Sequence, residues 1–287
     1  MAQNPMTAQA KARVDLGTPI GIVLGLVAVV GSWVVFEGGS LAALTANVSP
    51  MIIVFGGTLM CLLIAFPLPV VLNLPRYLRK AFMDDAEDPV VIVRTFVRLA
   101  EKARREGLLS LEEEARAIPD EFLRNGIQEV VDGTPPEEIK DLLEAEIAEM
   151  EARHRLGADL FEQGGGFAPT MGIIGTVLGL MSTLGSMAHE GTESLGEHIA
   201  VAFIATFFGI LSSNFVWLPL AKRLRRKSET EVAYRRMIVE GILGIQAGSP
   251  PRLVGAKLES FLSPADRARL RRGGEPGGAA APAAAGA

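Results

Sequence analysis

The hydrophobic residues of this chain fall into four long apolar segments, separated by polar stretches of unequal length. They are residues 17–36, 50–72, 165–188 and 198–220. Each holds about 20 residues or more, the length of α-helix that crosses the ~30 Å hydrocarbon core of a membrane. None carries an Asp or Glu in its central part. The pattern therefore predicts four transmembrane helices.

The stretch between the second and third segments, residues 73–163, predicts a helical domain. Asp88 followed by Pro89 is a typical helix start, because aspartate caps a first turn and proline fits the first helical position. Gly107 is a typical helix end. The apolar residues between them recur at helical spacing, at Val90, Val93, Phe96, Val97 and Ala100. We therefore predict one amphipathic helix here.

Two further helix starts are predicted in the same domain. The spacing of a capping box occurs at Ser110 with Glu113 and at Thr134 with Glu137. In a capping box, each of the two side chains accepts a hydrogen bond from the backbone N–H of the other residue. Pro119 limits the length of the first helix. The second is predicted to be long, with apolar positions at Ile139, Leu142, Leu143, Ile147 and Met150.

Three consecutive glycines, residues 164–166, precede the third segment. They favour a joint where the backbone changes direction, and a plain loop between helices explains them equally well. After the fourth segment, residues 221–262 are predicted to form cytoplasmic helices. Residues 263–287 are predicted to be a disordered tail, because nearly every residue from 273 onward is Gly, Ala or Pro.

The positive charges predict the orientation. Of the 28 Lys and Arg residues, two precede the first segment, thirteen lie between the second and third, and thirteen follow the fourth. The other two connections, residues 37–49 and 190–197, contain none. Because Lys and Arg concentrate on the cytoplasmic side, the N-terminus (residues 1–16), the large domain and the C-terminus are predicted to be cytoplasmic. The first segment is too long for a signal peptide and is interpreted as a retained span.

Composition narrows the functional classes. The chain is 49% hydrophobic with a positive mean hydropathy, as is typical of membrane proteins. A net charge of −5, without interleaved basic and aromatic residues, argues against nucleic acid as a partner. Cys61 has no second cysteine for an intrachain disulfide. His154, His189 and His198 lack ligand spacing, and no metalloprotease, serine-hydrolase, P-loop or CxxC motif occurs, so neither an enzyme nor a cofactor is predicted.

Polar and helix-bending residues occur inside the last two segments. Thr176 and Thr206 each lie well within a segment, where a hydroxyl either bonds its own preceding turn or lines a polar path. Pro169 and Pro219 lie at matching depth, and each frees a backbone carbonyl and bends its helix. A lone proline is usually structural, whereas two at matching depth suggest a joint or a cavity mouth.

The third segment also contains Gly175 and Gly179, a GxxxG pair. This spacing suits close packing against another helix, which explains both glycines without a functional role. The segments lack an ionisable group in their centres, although an ion that crosses lipid usually needs one. An ion path would therefore require a carboxylate from a second protein.

Several stretches resemble the A subunit of the bacterial flagellar motor stator, the MotA/PomA family within the MotA/TolQ/ExbB proton channel superfamily. They are RREGLLSLE in the domain, PTMGIIGTVLGL in the third segment, TFFGILSSNFVWLPLAKRL in the fourth, and EGILGIQAGSPPRLV beyond it. Together with the two-plus-two layout of the helices, the resemblance extends to residue 262.

The resemblance implies an all-α integral membrane protein of the bacterial inner membrane, with five copies in a homo-pentameric ring around two B subunits. The MotB/PomB-like B subunit would supply the ion-binding Asp and a peptidoglycan anchor. The flow of Na⁺ or H⁺ would generate torque on the rotor switch protein FliG and so drive flagellum-dependent motility and chemotaxis.

Six residues match functional positions of that family: Arg104 and Glu112 at the rotor interface, Pro169 and Pro219 in the coupling of ion passage to conformational change, and Thr176 and Thr206 in the ion path. Threonine at both ion-path positions is more typical of sodium-type stators, so Na⁺ is slightly favoured. Exposed charge pairs contribute only about 0–1 kcal/mol each. This weakness suits rotor contacts that form and release repeatedly.

Two alternative functions stay open. An ExbB/TolQ-like energiser of outer-membrane processes would place one membrane helix before the cytoplasmic domain, whereas this sequence predicts two. A non-conducting membrane scaffold would explain the helices and glycines but not the paired prolines and threonines.

Overall fold

The computed structural model describes residues 13–14, 17–46, 48–84, 88–190 and 195–272. Within these ranges only the backbone is described at residues 13–14, 84, 186–190 and 197. The described residues divide into two units. The first takes its residues from 85–151 and from 229 onward, and the second from 12–84 and 152–228.

Helices make up nearly all of the described chain. In chain order they are α1 (Gly17–Glu37), α2 (Leu41–Thr45), α3 (Val48–Met51), α4 (Gly57–Ala65), α5 (Leu68–Leu72), α6 (Leu74–Phe82), α7 (Pro89–Glu106), α8 (Leu111–Ala117), α9 (Glu121–Val131), α10 (Pro136–Glu190), α11 (Leu195–Ser212), α12 (Leu218–Gln246), α13 (Pro251–Glu259) and α14 (Pro264–Arg272). The predicted helical class is confirmed. Helices α10 and α12 contribute residues to both units.

Short non-α segments join some of these helices. The π-helical segments Ile52–Gly56 and Ser213–Trp217 connect α3 to α4 and α11 to α12, and the 3₁₀ turn Leu108–Ser110 precedes α8. Two-residue strands β1 (Arg13–Val14) and β2 (Met83–Asp84) pair antiparallel. This ladder is a small addition to the helical fold.

Four helical stretches in the described part of the chain are long and apolar enough to cross a membrane. They are Gly17–Glu37, Val48–Ala65, Pro136–Gly185 and His198–Gln246. Each overlaps one of the predicted segments. Helix α1 has no buried residue, and its side chains Val23, Leu24 and Val27 are more than half exposed. Apolar surface of this extent is covered in proteins by lipid or by another chain.

The first unit is organised around a hydrophobic core that includes the predicted face of α7. The helix begins as predicted, because the Asp88 carboxylate accepts a hydrogen bond from the Val90 N–H at 3.0 Å. Gly107, with φ of +83°, ends it. Leu142, one of the apolar positions predicted for α10, is 52% exposed and lies outside this core. The largest fully buried side chains of this core are Phe96, Leu99, Leu111, Phe122, Leu123, Ile127, Ile139, Leu143 and Ile147.

Neither predicted capping box forms. The 3₁₀ turn leads directly into α8, so Ser110 already has helical backbone angles, and its hydroxyl donates back to the Gly107 carbonyl at 2.7 Å. The Thr134 hydroxyl donates instead to the Glu129 carboxylate at 2.7 Å, and α10 begins two residues later, at Pro136. Helix α8 nevertheless starts at Leu111, as the sequence pattern indicates, whereas α10 starts one residue later than the pattern indicates.

Residues 264–272 form α14, which corrects the predicted start of the disordered tail. Its first turn contains a capping pair: the Asp266 N–H donates to Ser263 Oγ at 3.2 Å, and the Ser263 hydroxyl donates to Asp266 Oδ2 at 2.6 Å. Arg269 pairs with Asp266 at 3.0 Å and with Asp88 at 2.5 Å. The hydrogen bond from Ser263, with the contribution of Arg269, lowers the pKa of Asp266 below its ordinary value. The rest of the predicted tail lies outside the described residues.

The second unit has a separate apolar core, and its ion pairs lie outside that core. Arg225 of α12 pairs with Asp159 of α10 at 2.9 Å and also contacts Glu162. The Arg223 side chain donates to the Ala81 carbonyl at the end of α6 at 2.6 Å. The buried residues of this core are Leu62, Val71, Ala81, Leu160, Phe161, Leu220 and Ala221.

Helix α10 continues through the three glycines at 164–166 without interruption, so the alternative of a loop at this point is wrong. Gly164 lies against the Trp217 ring, and Gly165 lies against Leu218. The absence of side chains at these positions allows α10 to pack closely against the π-helical segment that precedes α12.

Candidate functional site

A seam of small residues holds α10 against α11. A side-chain carbon placed on Gly175 would lie 2.7 Å from Ala205 Cβ, and one placed on Gly179 would lie 2.8 Å from Ala202 Cβ. The GxxxG pair therefore sits in a close helix contact within this chain. Such contacts rely on small residues, because helix packing in lipid depends on close van der Waals contact.

The backbones of the two helices approach most closely at Gly172 and Gly209. A side-chain carbon on Gly172 would lie 2.8 Å from the Ala205 carbonyl oxygen, and one on Gly209 would lie 2.6 Å from the Ala168 carbonyl oxygen. Backbone atoms cannot rotate away as a flexible side chain can. Sequence reasoning missed Gly209, although its spacing from Ala205 repeats the small-xxx-small pattern of the opposite helix.

Replacing Gly172 by alanine is therefore expected to force α10 and α11 apart. Overpacking of this kind typically costs about 1–3 kcal/mol. We expect a lower melting temperature and less protein in membranes, measured by thermal unfolding in detergent and by immunoblot. The matched control is Gly166→Ala on the same helix, where an added side-chain carbon has no neighbour within 4 Å. Equal stability of the two variants would contradict the backbone contact.

The hydroxyls of Thr176 and Thr206 meet across this seam, 2.5 Å apart. Thr176 Oγ1 also lies 3.1 Å from the Gly172 carbonyl oxygen of its own preceding turn and 3.0 Å from the Ala202 carbonyl oxygen of α11. Thr206 Oγ1 lies 3.3 Å from the same Gly172 oxygen. Both threonines are half-buried. The structure thus brings together the two residues that the sequence places thirty positions apart.

Four oxygen atoms make this point of the seam polar without making it charged. Hydroxyl and carbonyl oxygens are suitable ligands for hard cations, yet they carry no charge to offset that of an ion. Among the described residues, no group of three or more His, Cys, Asp or Glu side chains could hold a metal ion. A cation that passes here would need a negative group from elsewhere.

Pro169 lies inside α10, where the seam approaches Gly209 of α11. A proline in a helix has no N–H, so the carbonyl four residues earlier, that of Gly165, loses its usual partner. The Ser213 hydroxyl takes that place and donates to the Gly165 carbonyl at 2.7 Å. Sequence reasoning missed Ser213. The signal that could have found it is the hydroxyl-rich pair at 212–213 in the segment facing Pro169.

Pro219 is the second residue of α12, one residue after the end of the π-helical segment Ser213–Trp217. Within it the Leu218 N–H donates to the Ser213 carbonyl, five residues back. A π-helical turn before proline is expected, because the missing N–H removes one α-helical bond and leaves the preceding turn free to widen. Each of the two prolines is thus accompanied by a local departure from the regular α-helical bonding pattern.

Arg104 and Glu112 lie in the first unit, on either side of the turn between α7 and α8. Arg104 is exposed in the last turn of α7 and has no hydrogen-bond or ion-pair partner within the described residues. Glu112 lies in the first turn of α8 and pairs with Arg116 at 2.6 Å. The structure therefore places both charges next to the same turn but does not join them.

Four membrane-length helices, two of which meet at an uncharged polar seam, define a multi-helix membrane protein. The chain belongs to the MotA/TolQ/ExbB proton channel family, whose sequence model matches residues 114–237. Motility protein A of Bacillus subtilis (strain 168) is 38% identical to it over 263 residues, which is 91% of this chain and 96% of that relative.

Two solved structures share the fold. The flagellar MotAB stator complex from Bacillus subtilis matches with a TM-score of 0.80 and 38% identity, covering 88% of this chain and 98% of that one. The structure of C. jejuni MotAB matches with a TM-score of 0.80 and 30% identity, covering 87% and 96%. The resemblance drawn from the sequence motifs is confirmed at the level of family and fold.

Proposed function

We propose that this chain is the A subunit of a flagellar stator in the bacterial inner membrane, and that it converts a flow of cations into torque on the rotor. The main support is its similarity to motility protein A over nine-tenths of its length. The paired threonines lie in the polar seam between α10 and α11, and the prolines lie in α10 and at the start of α12, where a chain that couples ion passage to movement would need them.

A second protein supplies the charge that this seam lacks. In the proposed complex, a B subunit contributes one membrane helix with an ion-binding Asp and a domain that anchors to peptidoglycan. The solved relatives are MotAB complexes. On α10, a row of apolar side chains away from the seam is exposed and free to pack against such a helix: Ile173, Val177, Met181 and Leu184.

The proposed assembly is a pentameric ring of this chain around two B subunits. The exposed apolar side chains of α1 would then face lipid or a neighbouring copy. The positive-inside distribution supports a cytoplasmic location for both termini and for the first unit. In this orientation Arg104 and Glu112 reach the cytoplasm, where we propose that they contact the rotor switch protein FliG.

The energies involved are compatible with stepwise torque. One elementary charge that moves through 100 mV supplies about 2.3 kcal/mol. An exposed ion pair contributes about 0–1 kcal/mol. Each ion therefore carries enough free energy to break a rotor contact of the Arg104 or Glu112 kind, which can then form again at the next position.

The transported ion is proposed to be Na⁺, with H⁺ as the alternative, because hydroxyls at both Thr176 and Thr206 offer oxygen ligands. The test is to express this chain with its cognate B subunit in a host that lacks stators, and to measure swimming speed against external sodium at fixed pH. We expect motility to be restored and the speed to rise with sodium. Equal speed in sodium-free medium would assign the complex to protons, and no motility with both subunits in the membrane would contradict the stator function.

A matched pair of variants tests the part played by the seam. Thr176→Ala should shift the sodium dependence to higher concentrations, since one of the oxygens is lost. Thr170→Ala is the control, because the Thr170 hydroxyl is on the exposed side of α10 and bonds the Phe167 carbonyl at 2.8 Å. An unchanged sodium dependence in both variants would remove Thr176 from the ion path.

The energiser alternative has less support. Motility protein A of Bacillus subtilis matches 91% of this chain, and the two solved matches are MotAB structures. Two of the membrane-length helices also precede the domain residues 88–131 rather than one.

A further inference from the structure

One buried hydrogen bond connects α10 to the π-helical segment that precedes Pro219, and its acceptor is the carbonyl that Pro169 leaves without a helical partner. The Ser213 hydroxyl donates to the Gly165 carbonyl, which Pro169 leaves without a helical partner, at 2.7 Å. Ser213 is 2% exposed. Water therefore has no access with which to replace the hydroxyl if it is removed, and the carbonyl would be left unsatisfied.

Ser213 is also the first residue of the π-helical segment. Its carbonyl accepts the hydrogen bond from the Leu218 N–H, directly before Pro219. A single residue is thus bonded through its side chain to the irregularity at one proline and through its backbone to the irregularity at the other. Regular α-helical bonding at Pro169 would give the Gly165 carbonyl another partner, and regular α-helical bonding before Pro219 would remove the bond from the Leu218 N–H to the Ser213 carbonyl.

The surrounding packing keeps this connection short. Gly165, whose carbonyl accepts the bond, lies against Leu218 at the start of α12, and Gly164 lies against Trp217 at the end of the π-helical segment. Larger residues at either glycine would separate α10 from the segment and lengthen the hydrogen bond. Gly164 and Gly165 therefore do more than allow close packing: they bring the Gly165 carbonyl within reach of the Ser213 hydroxyl.

We propose that Ser213 is a positioning residue that makes the helix bends at Pro169 and Pro219 change together. This inference rests on the proposed function, in which the two prolines turn ion passage into movement. When α10 straightens or bends at Pro169, the Gly165 carbonyl moves and takes the Ser213 hydroxyl with it. The π-helical turn before Pro219 must then rearrange.

A double-mutant cycle tests whether the hydrogen bond from Ser213 to the Gly165 carbonyl depends on Pro169. The cycle uses the purified complex with its B subunit in detergent. Ser213→Ala should lower the melting temperature by about 3–8 °C, because it leaves a buried carbonyl unpaired. In the Pro169→Ala background the same substitution should have less than half this effect. Residue 169 then has an N–H that bonds the Gly165 carbonyl within the helix.

The neighbouring serine provides the matched control. Ser212 is similarly buried, at 8% exposure, but its hydroxyl bonds the Gly209 carbonyl of its own helix at 3.1 Å. Ser212→Ala should therefore change the melting temperature by the same amount in both backgrounds. An equal effect of Ser213→Ala in the two backgrounds would overturn the link to Pro169.

A torque measurement separates coupling from stability. At equal amounts of complex in the membrane, Ser213→Ala should reduce torque several-fold. Ser213→Cys, which is close in size but a weak donor, should behave in the same way. Wild-type torque in both variants would make Ser213 a stability residue alone and overturn the coupling.

The outcomes also distinguish this inference from the proposed function. Normal swimming by Pro169→Ala would overturn the role of the prolines, and the melting cycle would still decide the bond between Ser213 and Gly165. If cells with the Pro169→Ala variant were paralysed while cells with the Ser213→Ala variant swam normally, the coupling through Ser213 would be overturned. The role of the prolines would still stand.

Discussion

Replacing Pro169 by alanine is expected to abolish swimming while the flagellar filaments still assemble. Alanine restores an N–H inside α10, and the Gly165 carbonyl then gains an ordinary helical partner in place of Ser213. Because a proline in a helix interior costs about 3 kcal/mol or more, a straight helix becomes more favourable by a similar amount. That exceeds the about 2.3 kcal/mol which one charge supplies across 100 mV. A single ion would then no longer supply enough free energy to bend the helix.

The measurement is swimming speed in a host that lacks stators, with filaments counted by electron microscopy and the complex quantified in membranes. Pro219→Leu should have the same effect at the second joint. Pro75→Ala is the control, because Pro75 lies in the first turn of α6, where an N–H has no helical partner in any case. Normal swimming by the Pro169 variant would contradict the proposed coupling.

Reversing Arg104 and Glu112 together is expected to cut torque and the recruitment of stators to the motor. The two charges are proposed to contact the rotor, and their reversal turns attraction into repulsion. The single variants should differ: Arg104→Glu should do more harm than Glu112→Arg, because Arg104 is exposed without a partner among the described residues, whereas Glu112 is partly neutralised by Arg116 at 2.6 Å. Torque under load and fluorescence of labelled complexes at the motor measure both effects.

The control for this prediction keeps the net charge change and moves it by one residue. Arg105→Glu combined with Glu113→Arg alters exposed neighbours of the same two helices. We expect little loss of torque in this variant. If both double variants were equally impaired, the rotor contact would depend on the overall charge of the surface rather than on Arg104 and Glu112. Wild-type torque in the Arg104 and Glu112 variant would contradict the contact itself.

The helices of this chain could be predicted from its sequence because length and polarity decide them. Four apolar segments of membrane length, and the Asp88–Pro89 start and Gly107 end of α7, follow from local rules that act within a few residues. The family could likewise be inferred, because the stretches that carry it are continuous in sequence. The threonines and prolines are recognisable in the sequence because polar and helix-bending residues are unusual within apolar segments.

What could not be predicted depends on which residues face each other. Ser110 has the sequence spacing of a cap, but it is the last residue of a 3₁₀ turn, which fixes its backbone in helical angles. The role of Ser213 depends on the carbonyl that Pro169 frees forty-eight residues earlier. Similarly, α14 was hidden by the composition of the residues after it, although Ser263 and Asp266 have capping spacing. Short polar contacts over long sequence separations leave no local pattern.

The hydroxyl hydrogen atoms of the threonine pair can be arranged in two ways without any movement of the oxygen atoms. Two hydroxyl protons are shared among the oxygens of Thr176, Thr206, Gly172 and Ala202, so either threonine can be the donor to the other. The pair therefore has two orientations of its dipoles that differ only by rotation of the O–H bonds. A site of this kind can turn its lone pairs toward a passing cation and away again without moving the helices. In the proposed ion path, binding by neutral oxygens alone would be weak enough for release, as rapid conduction requires.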